Sequence, residues 1–235
     1  MKVPFYGIKN DKNDQIHLSE VESRHCIKVL RHNIGDNIHV LDGRGSLYDC
    51  TILNDNTRQC ILDINSTDFK EKDICSVHIV IAPPKNPIRI DWLIEKCVEM
   101  GVDRISFILS ERSIRSRIKY DRLDRIAIAS MKQSCSRYKL RIDDIIPYGE
   151  CIKQINASQR LIPHLEEGEK ALIYGALKPN LDTCFLIGPE GDFSNDEINL
   201  ALSANFSPVS LGNRRLRTET AALMVASAFN HVNGL

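Results

Sequence analysis

The sequence predicts an α/β protein in two parts, a mostly β segment over residues 1–72 and an α/β domain over residues 73–235. In the first part, short apolar stretches are separated by tight turns. In the second part, continuous apolar runs typical of strands alternate with amphipathic segments typical of helices. Such an alternation indicates a mostly parallel sheet with helices on both faces. The polar segment Phe69–Asp73 separates the two parts.

Composition favours a folded, cytoplasmic protein. The 235 residues are 43% hydrophobic and 26% charged, and 31 basic side chains balance 31 acidic ones. No apolar run is long enough to span a bilayer, and Met1–Tyr6 lacks the apolar stretch of a secretory signal. The eight cysteines form no CxxC pair and lie mostly in apolar runs. We therefore expect reduced, buried thiols and no metal site.

The first part is predicted to be a small β-barrel that serves as an accessory binding module. Asn37–Leu41 has the pattern of a strand, and Asp42-Gly43 is a typical hairpin turn. Residues 47–53 and 59–65 continue the strand pattern. Several short strands with tight turns in so short a segment indicate a barrel.

One helix is predicted before these strands. Ser19 and Glu22 have the spacing of a capping box, in which each side chain bonds the backbone of the other residue. Val21, His25, Val29 and Leu30 follow at helical spacing.

The second part is predicted to alternate between strands and helices. The continuous apolar run at residues 77–82 is typical of a strand covered on both faces. Further strands are predicted at residues 104–109, 171–174, 183–187 and 209–211. Helices are predicted at residues 91–100, 121–134, 195–204 and 220–231. A second capping box, at Ser194 and Glu197, begins the third of these helices. The last helix is rich in small residues, which suit close packing against its own sheet or a second subunit.

A basic belt extends from Arg104 to Arg141 and contains eleven lysines and arginines but only three acidic residues. On a protein of zero net charge, this asymmetry is typical of a binding site for a polyanion such as RNA. A solvated helix face with counter-charges elsewhere in the fold is the alternative. The RNA-contacting candidates are Lys28, Arg31, Arg112, Arg115 and Arg137.

Two glycine-bearing loops near the C-terminus are the strongest functional signal. Residues 186–191 (LIGPEG) and 211–221 (LGNRRLRTETA) each follow a predicted strand and lead into a helix. They are expected to lie side by side at the carboxyl end of the sheet, where open α/β sheets bind ligands. Neither loop is a Walker A or GxGxxG sequence. Taken alone, Gly188–Gly191 is more typical of a tight structural turn than of a ligand site.

The start of the final helix supplies the catalytic candidates Arg217 and Glu219. Thr218 is predicted to be the N-cap. The helix dipole stabilises a carboxylate in the first turn, so Glu219 is expected to anchor the helix start rather than act as a base. Arginine keeps its charge and offers a planar fork of donors, which suits a phosphate or a developing oxyanion. A salt bridge to a loop carboxylate is the alternative for Arg217.

These two loops closely resemble the signature of the RsmE family, the 16S ribosomal RNA (uracil-N3)-methyltransferases of the SPOUT class. The resemblance covers the whole chain. It includes the phrases His25–Arg31 in the first part, Pro84-Lys85, Glu99–Val102 and Ser110–Ser113. The string Leu216–Ala221 is its most specific element.

The resemblance implies a PUA-like barrel followed by an α/β domain with a C-terminal trefoil knot. It also implies a homodimer and S-adenosylmethionine as methyl donor, with 16S ribosomal RNA or the small ribosomal subunit as partner. The donor would bind Leu186, Ile187, Gly188, Glu190, Gly191, Leu211, Gly212, Leu216 and Thr218.

The chain departs from the family pattern at three places. Asn86 stands where the family usually has glycine, and Asp192 where it often has glycine. The arginine expected at Ser136 is found one residue later, at Arg137.

Two other functions compete with the methyltransferase reading. One is an RNA-binding protein that kept the fold but lost the chemistry, against which the intact string Arg217–Glu219 argues. The other is a metabolic α/β enzyme that binds a phosphorylated small molecule with the same loops, against which the basic belt and the separate barrel argue.

Overall fold

The computed structural model describes residues 3–10 and 14–235 and divides the chain into two compact units. The first unit contains the chain up to Lys72 together with Ile128–Lys139. The second unit contains Asp73–Ala127 and Leu140–Leu235. The sequence predicted the boundary at residue 72 but assigned residues 128–139 to the second part.

The first unit contains a closed five-stranded barrel, which confirms the predicted architecture. The strand order is β1-β2-β5-β4-β3, and β1 closes the barrel by pairing parallel to β3. Alternate side chains point inward along the strands and form an apolar core that includes Ile16, Val40, Cys50 and Leu62. The strands are β1 (Phe5–Lys9), β2 (Gln15–Leu18), β3 (Asn37–Leu41), β4 (Ser46–Asn54) and β5 (Ile61–Phe69).

The helix predicted in this unit is present, and it buries mainly polar side chains. Helix α1 (Glu20–Arg24) begins at the Ser19 N-cap and continues into a π-helical turn (His25–Val29). Val21 and Val29 are 75% and 64% exposed, while Glu22, Ser23 and Cys26 are buried. The apolar side chains at helical spacing therefore lie largely at the surface, and the buried face is mostly polar.

Glu22 explains why a polar side chain is turned inward here. Its Oε2 accepts a hydrogen bond from the backbone N of Tyr6 at 3.1 Å, and its Oε1 pairs with Lys132 Nζ at 2.6 Å. The Ser19 side chain accepts from the backbone N of Glu22, so half of the predicted capping box is present. The carboxylate half is committed to Tyr6 and Lys132 instead.

The second unit is built on a seven-stranded sheet in the order β10-β12-β9-β11-β6-β7-β8, in which every pairing is parallel. The predicted parallel α/β fold is thus confirmed. The strands are β6 (Val77–Ile81), β7 (Arg104–Leu109), β8 (Arg141–Pro147), β9 (Gln159–Pro163), β10 (Ala171–Leu172), β11 (Thr183–Ile187) and β12 (Ser207–Ser210).

Helices cover both faces of this sheet. Helix α7 packs against α2, β6 and β11, and its small residues Ala222 and Ala226 are fully buried there. Helices α4 and α6 pack on the opposite face, where Tyr148 and Ile198 join the core. The capping box of α6 is confirmed, with both reciprocal bonds between Ser194 and Glu197. The helices are α2 (Pro87–Glu99), α3 (Tyr120–Ser134), α4 (Tyr148–Gln154), α5 (Ile173–Ala176), α6 (Asn195–Ser203) and α7 (Thr218–Asn233).

Several local predictions differ from the structure. The strand predicted at residues 171–174 has only two strand residues before α5 begins. Strands β1, β2, β8 and β9 were not predicted, because their short or mixed patterns bury few apolar side chains. All eight cysteines are free, as expected; seven are buried and Cys135 is exposed.

Candidate active site

Three loops at the carboxyl ends of β9, β11 and β12 enclose a cavity with an empty volume of about 670 Å³. Strand β9 lies between β11 and β12, so the two predicted loops follow strands that are not direct neighbours. The lining residues are Pro163, His164, Leu165, Ile187, Gly188, Pro189, Glu190, Asp192, Val209, Ser210, Leu211, Gly212, Arg214, Arg215, Leu216, Thr218 and Ala221.

Seven of the nine predicted cofactor-binding residues line this cavity, namely Ile187, Gly188, Glu190, Leu211, Gly212, Leu216 and Thr218. The other two do not. The side chain of Leu186 is fully buried in the core beneath α4 and α6, on the face opposite to Ile187. Gly191 lies against the side chain of Arg112 instead.

The loop after β11 is tightly turned. A Cβ atom at Gly188 would lie 3.2 Å from Asp192 Oδ1 and 3.3 Å from the ring of Phe193, so glycine permits a close approach there. The backbone N of Asp192 donates to the carbonyl of Pro189, and Asp192 has a left-handed φ of 62°. The turn therefore presents a backbone edge to the cavity.

Two arginines hold the loops at this end of the sheet. Arg112 Nη1 donates to the carbonyl of Gly191 at 2.8 Å, and Arg115 donates twice to the carbonyl of Lys85. The backbone N of Lys85 in turn donates to Glu190 Oε1 at 3.1 Å. The structure thus gives Arg112 and Arg115 a loop-anchoring role, and their contact with RNA stays a prediction.

The loop after β12 carries the second predicted glycine and the arginines. Gly212 has a φ of 101°, which a residue with a side chain adopts only with strain. Arg217, rather than Thr218, is the N-cap residue of α7, and Thr218 is the buried first residue of the helix. The predicted N-cap was therefore one residue too late.

The Arg217 side chain is exposed and makes no hydrogen bond or ion pair with any residue that the structure describes. It lies between Leu216 and Thr218, which both line the cavity. The predicted alternative of a salt bridge to a loop carboxylate is thus absent among the described residues. The charged fork of donors of Arg217 is therefore uncommitted within the described part of the chain, on a loop whose neighbouring residues line the cavity.

Glu219 is 5% exposed and forms an ion pair with Arg89 of α2, with Nε and Oε1 3.4 Å apart. Its Oε2 is buried and has no hydrogen-bond partner among the described residues. The pair joins the first turn of α7 to the first turn of α2. Sequence reasoning missed Arg89, because no local pattern links it to a carboxylate 130 positions away.

The third loop of the cavity, residues 163–165, was also missed. It follows β9, which presents only two consecutive buried apolar residues, Leu161 and Ile162. The Pro163 that ends the strand was the only local signal. The contribution of His164 and Leu165 depends on the position of β9 between β11 and β12.

The RNA-contacting candidates in the first unit differ in whether their charge is already paired within the fold. Lys28 and Arg31 are exposed, and neither makes an ion pair with the described residues. Arg137 donates to the carbonyl of Asp68 at 2.8 Å and pairs with its carboxylate. The Arg137 guanidinium is therefore paired with strand β5, and its contact with RNA stays a prediction.

Carboxylates form ion pairs with other arginines of the basic belt as well. Arg104 and Arg141 share Asp143, and Arg122 pairs with Asp91. Part of the excess charge in the sequence is thus neutralised within the fold, as the alternative reading proposed.

Over residues 3–10 and 14–235, no cluster of three or more potential ligands for a metal ion occurs. No helix of this part of the chain has the length and apolarity needed to cross a membrane.

The fold and its cavity define the class of protein. The model of a family described as an RNA methyltransferase domain matches residues 70–230. A second model, described as an RNA methyltransferase PUA domain, matches residues 18–65. The first match extends over more than half of the chain and contains all three loops of the cavity.

Among RNA methyltransferases, the chain is similar to several that are named for ribosomal RNA. The ribosomal RNA small subunit methyltransferase E of Synechocystis sp. is 27% identical over 91% of this chain and 72% of its own length. A probable rRNA-methyltransferase from Porphyromonas gingivalis is 38% identical, with a TM-score of 0.90 over 98% of both chains. The ribosomal RNA small subunit methyltransferase E from Neisseria gonorrhoeae, solved with bound S-adenosyl methionine, is 26% identical, with a TM-score of 0.86 over 99% of this chain and 98% of that chain. The chain belongs to the RsmE family of SPOUT-class RNA methyltransferases.

Proposed function

We propose that this protein transfers a methyl group from S-adenosylmethionine to N3 of a uridine in 16S ribosomal RNA. The observation that carries the proposal is the cavity between three strand-end loops, next to the unpartnered guanidinium of Arg217. The names of the relatives support ribosomal RNA of the small subunit as the substrate. The N3 position rests on the resemblance of the two loops to the family signature.

The cavity has the chemistry that S-adenosylmethionine requires. Apolar side chains that include Ile187, Val209 and Leu211 provide a surface for the purine ring. Gly188 and Gly212 bring backbone groups to the wall for the polar atoms of the ligand. When bound, S-adenosylmethionine supplies an electrophilic methyl group. The residues proposed to hold it are the seven predicted ones that line the cavity.

Arg217 is the proposed catalytic residue. Uracil N3 is a poor nucleophile while it carries its proton, and loss of that proton places negative charge on the neighbouring carbonyl oxygens. A guanidinium close to one of these oxygens stabilises the charge as it develops. The free donors of Arg217 beside the cavity support this role. The proposed reaction forms a bond from N3 to the methyl carbon while the bond from sulfur to that carbon breaks, and the N3 proton is lost to solvent.

Glu219 is proposed to hold the helix start rather than to act as a base. Its ion pair with Arg89 and its burial support this role. A Glu219→Gln protein with lower thermal stability and nearly normal turnover per folded molecule is the expected result. Normal donor affinity with no turnover would instead identify Glu219 as the base.

RNA binding is proposed to depend on the exposed cations of the first unit. Each phosphate contact contributes about one unit to the slope of log K against log salt concentration. We expect Lys28→Ala to reduce that slope by about one. Arg137→Ala is the matched control, because the guanidinium of Arg137 is already paired with Asp68. An equal loss of slope in both variants would contradict this assignment.

We also propose that the protein is a homodimer formed through its second unit and that the expected trefoil knot is present. Ile88 and Trp92 lie one turn apart on α2 and are 70% and 41% exposed, which supports an interface on that helix. The return of the chain from β12 to α7, which packs over β6 and β11, supports the knot. Light scattering of Ile88→Glu is expected to show a monomer where the unmodified protein shows a dimer.

The decisive test of the function is mass spectrometry of 16S ribosomal RNA from cells that lack the gene. We expect one N3-methyluridine to disappear and to return when the unmodified gene is restored. A second candidate is an RNA-binding protein of the same fold without activity. Calorimetry with S-adenosylmethionine separates the two, because a protein without activity has no need to bind the donor.

A further inference from the structure

The imidazole of His164 lies in the wall of the cavity without a partner. Its Nδ1 is buried and has no hydrogen-bond partner among the described residues. Its Nε2 likewise makes no hydrogen bond with the part of the chain that the structure describes. The ring is only partly buried, and Nε2 is not among the buried unpaired atoms, so Nε2 is the nitrogen that a ligand in the cavity can reach.

The protonation state of this ring follows from its surroundings. Burial lowers the pKa of His164, and the nearby ammonium of Lys170 lowers it further, while Asp192 and Glu166 act in the opposite direction. A neutral imidazole carries one proton, on either nitrogen. A proton on the sealed Nδ1 would be a buried donor without an acceptor, which is the rarer and more costly case. The proton therefore belongs on Nε2, which makes Nε2 a hydrogen-bond donor.

Asp192 fixes the loop that carries this ring. Its Oδ2 accepts from the backbone N of Leu165 at 2.6 Å, and its Oδ1 accepts from the backbone N of Phe193 at 2.8 Å. The left-handed backbone of Asp192 is unfavourable for a residue with a side chain. Its carboxylate nevertheless joins the loop after β11 to the loop after β9, next to His164. Strain of this kind persists where the surrounding contacts require it.

We propose that His164 recognises the methyl donor by donating a hydrogen bond from Nε2 to one of its acceptor atoms, and that Asp192 is the positioning residue that holds His164 in place. This inference rests on the proposed function, because it assigns a role within the same cavity. The acceptor is a ribose oxygen, a purine nitrogen or a carboxylate oxygen of the donor. Asp192 acts through the Leu165 backbone rather than through a contact of its own.

Isothermal titration of the full-length protein with S-adenosylmethionine tests the role of His164. His164→Phe keeps a planar ring but removes the hydrogen-bond donor Nε2. We expect it to bind S-adenosylmethionine about tenfold more weakly. His164→Gln restores a donor of similar reach and is expected to recover part of that loss. Glu167→Gln, on an exposed residue of the same loop that lies outside the cavity wall, is the matched control and is expected to bind normally. Unchanged affinity in His164→Phe would overturn the proposal.

A double-mutant cycle tests the positioning role of Asp192. Asp192→Gly suits the left-handed backbone but removes both carboxylate bonds, and we expect about fivefold weaker donor binding. Asp192→Asn retains one acceptor oxygen and is expected to fall between glycine and the unmodified protein. If Asp192 acts through His164, the double variant His164→Phe/Asp192→Gly binds no more weakly than His164→Phe alone. Additive losses would overturn the positioning role.

Two further measurements make a failure interpretable. Thermal unfolding without ligand shows whether a variant is folded, and only folded variants enter the comparison. Titration with adenosine locates the acceptor, because a loss that persists with adenosine places it on the nucleoside half of the donor. If the unmodified protein does not bind S-adenosylmethionine, the proposed function and this inference both fail. If it binds and His164→Phe binds equally well, only this inference fails.

Discussion

At the amino-terminal end of the seven-stranded sheet, polar side chains pair with one another, whereas at the carboxyl end several have no partner. Near the amino end, His78 Nε2 lies 2.7 Å from Ser106 Oγ, and the Ser106 hydroxyl donates to Asp143. Asp143 also accepts from Arg104 and from Arg141. At the carboxyl end, Arg217, His164 and one oxygen of Glu219 lack partners among the described residues. A cluster of polar residues in the sheet therefore does not by itself indicate a functional site; what distinguishes the two ends is whether the polar groups have partners.

The difference follows from what each end has to do. A buried polar network stabilises a fold only when each member has a partner, since an unpaired buried group costs free energy. A ligand site must keep donors and acceptors available until the ligand arrives. Removing a paired side chain at the amino end should therefore affect stability, while removing the unpaired side chain of Arg217 or His164 at the carboxyl end should affect turnover or binding.

Loss of the Arg217 guanidinium is expected to have the largest effect on activity. Removing one donor that stabilises a developing oxyanion typically lowers kcat by about 100- to 1,000-fold. We expect Arg217→Ala to show such a loss while its affinity for S-adenosylmethionine stays within about threefold of normal. Single-turnover methyl transfer to small-subunit RNA provides the measurement. Lys153→Ala, on an exposed cation of α4, is the control for net charge, and full turnover in Arg217→Ala would refute the role.

The amino-end network predicts a pH-dependent stability. Burial and the nearby Arg104 lower the pKa of His78 from 6.5 to about 4. Because the unfolded chain takes up a proton at a higher pH than the folded one, stability is greatest above pH 6.5 and falls between pH 6.5 and about 4. The expected loss from this residue is roughly 3 kcal/mol at most.

Urea unfolding at pH 7 and at pH 4.5 measures this loss. His78→Gln keeps a donor for Ser106 but cannot titrate, so its stability should depend less on pH than that of the unmodified protein. The affinity for S-adenosylmethionine at pH 7 should be unchanged in this variant. Equal pH dependence in the two proteins would show that His78 is not the titrating group.

The conformation of Gly212 is expected to affect donor affinity more than stability. Alanine at a φ of 101° introduces strain of about 1–3 kcal/mol, which the loop relieves by moving. We expect about tenfold weaker binding of S-adenosylmethionine to Gly212→Ala by calorimetry. Gly101 also has a positive φ, 69°, but lies at the end of α2. Gly101→Ala should therefore be less stable but bind S-adenosylmethionine with normal affinity. Weaker binding in both glycine variants would contradict a specific effect of Gly212 on the cavity.

The smallest effect is expected from an anchoring arginine. Arg112→Ala removes the bonds to the carbonyls of Gly191 and Phe193 and loosens the loop after β11. We expect about threefold weaker binding of S-adenosylmethionine with kcat nearly unchanged, because the shorter of the two bonds, to Gly191, is exposed to solvent. Arg122→Ala, which breaks an exposed pair with Asp91, is the matched arginine control. A loss of kcat as large as that in Arg217→Ala would mean that Arg112 contacts the RNA or the reacting atoms.

Local sequence patterns predicted much of this fold. Continuous apolar runs predicted β6, β7 and β11 to within one residue, and the capping box at Ser194 predicted the start of α6. Val21 and Val29 have helical spacing but lie at the surface, because a short helix on a barrel can expose apolar side chains when a buried ion pair holds its other face. The positive φ values of Gly101 and Gly212 also occur where the sequence predicted a helix end and a tight loop.

By itself, the sequence determined the parallel α/β class, the barrel, the family and the two glycine loops, because these depend on the spacing of neighbouring residues. Only the tertiary structure decided that β9 lies between β11 and β12 and brings His164 to the cavity. It also decided which arginines are committed to backbone carbonyls and carboxylates and which remain free. Such pairings join positions far apart in the chain, as Arg89 and Glu219 do. They depend on strand order and helix packing, which no local spacing encodes.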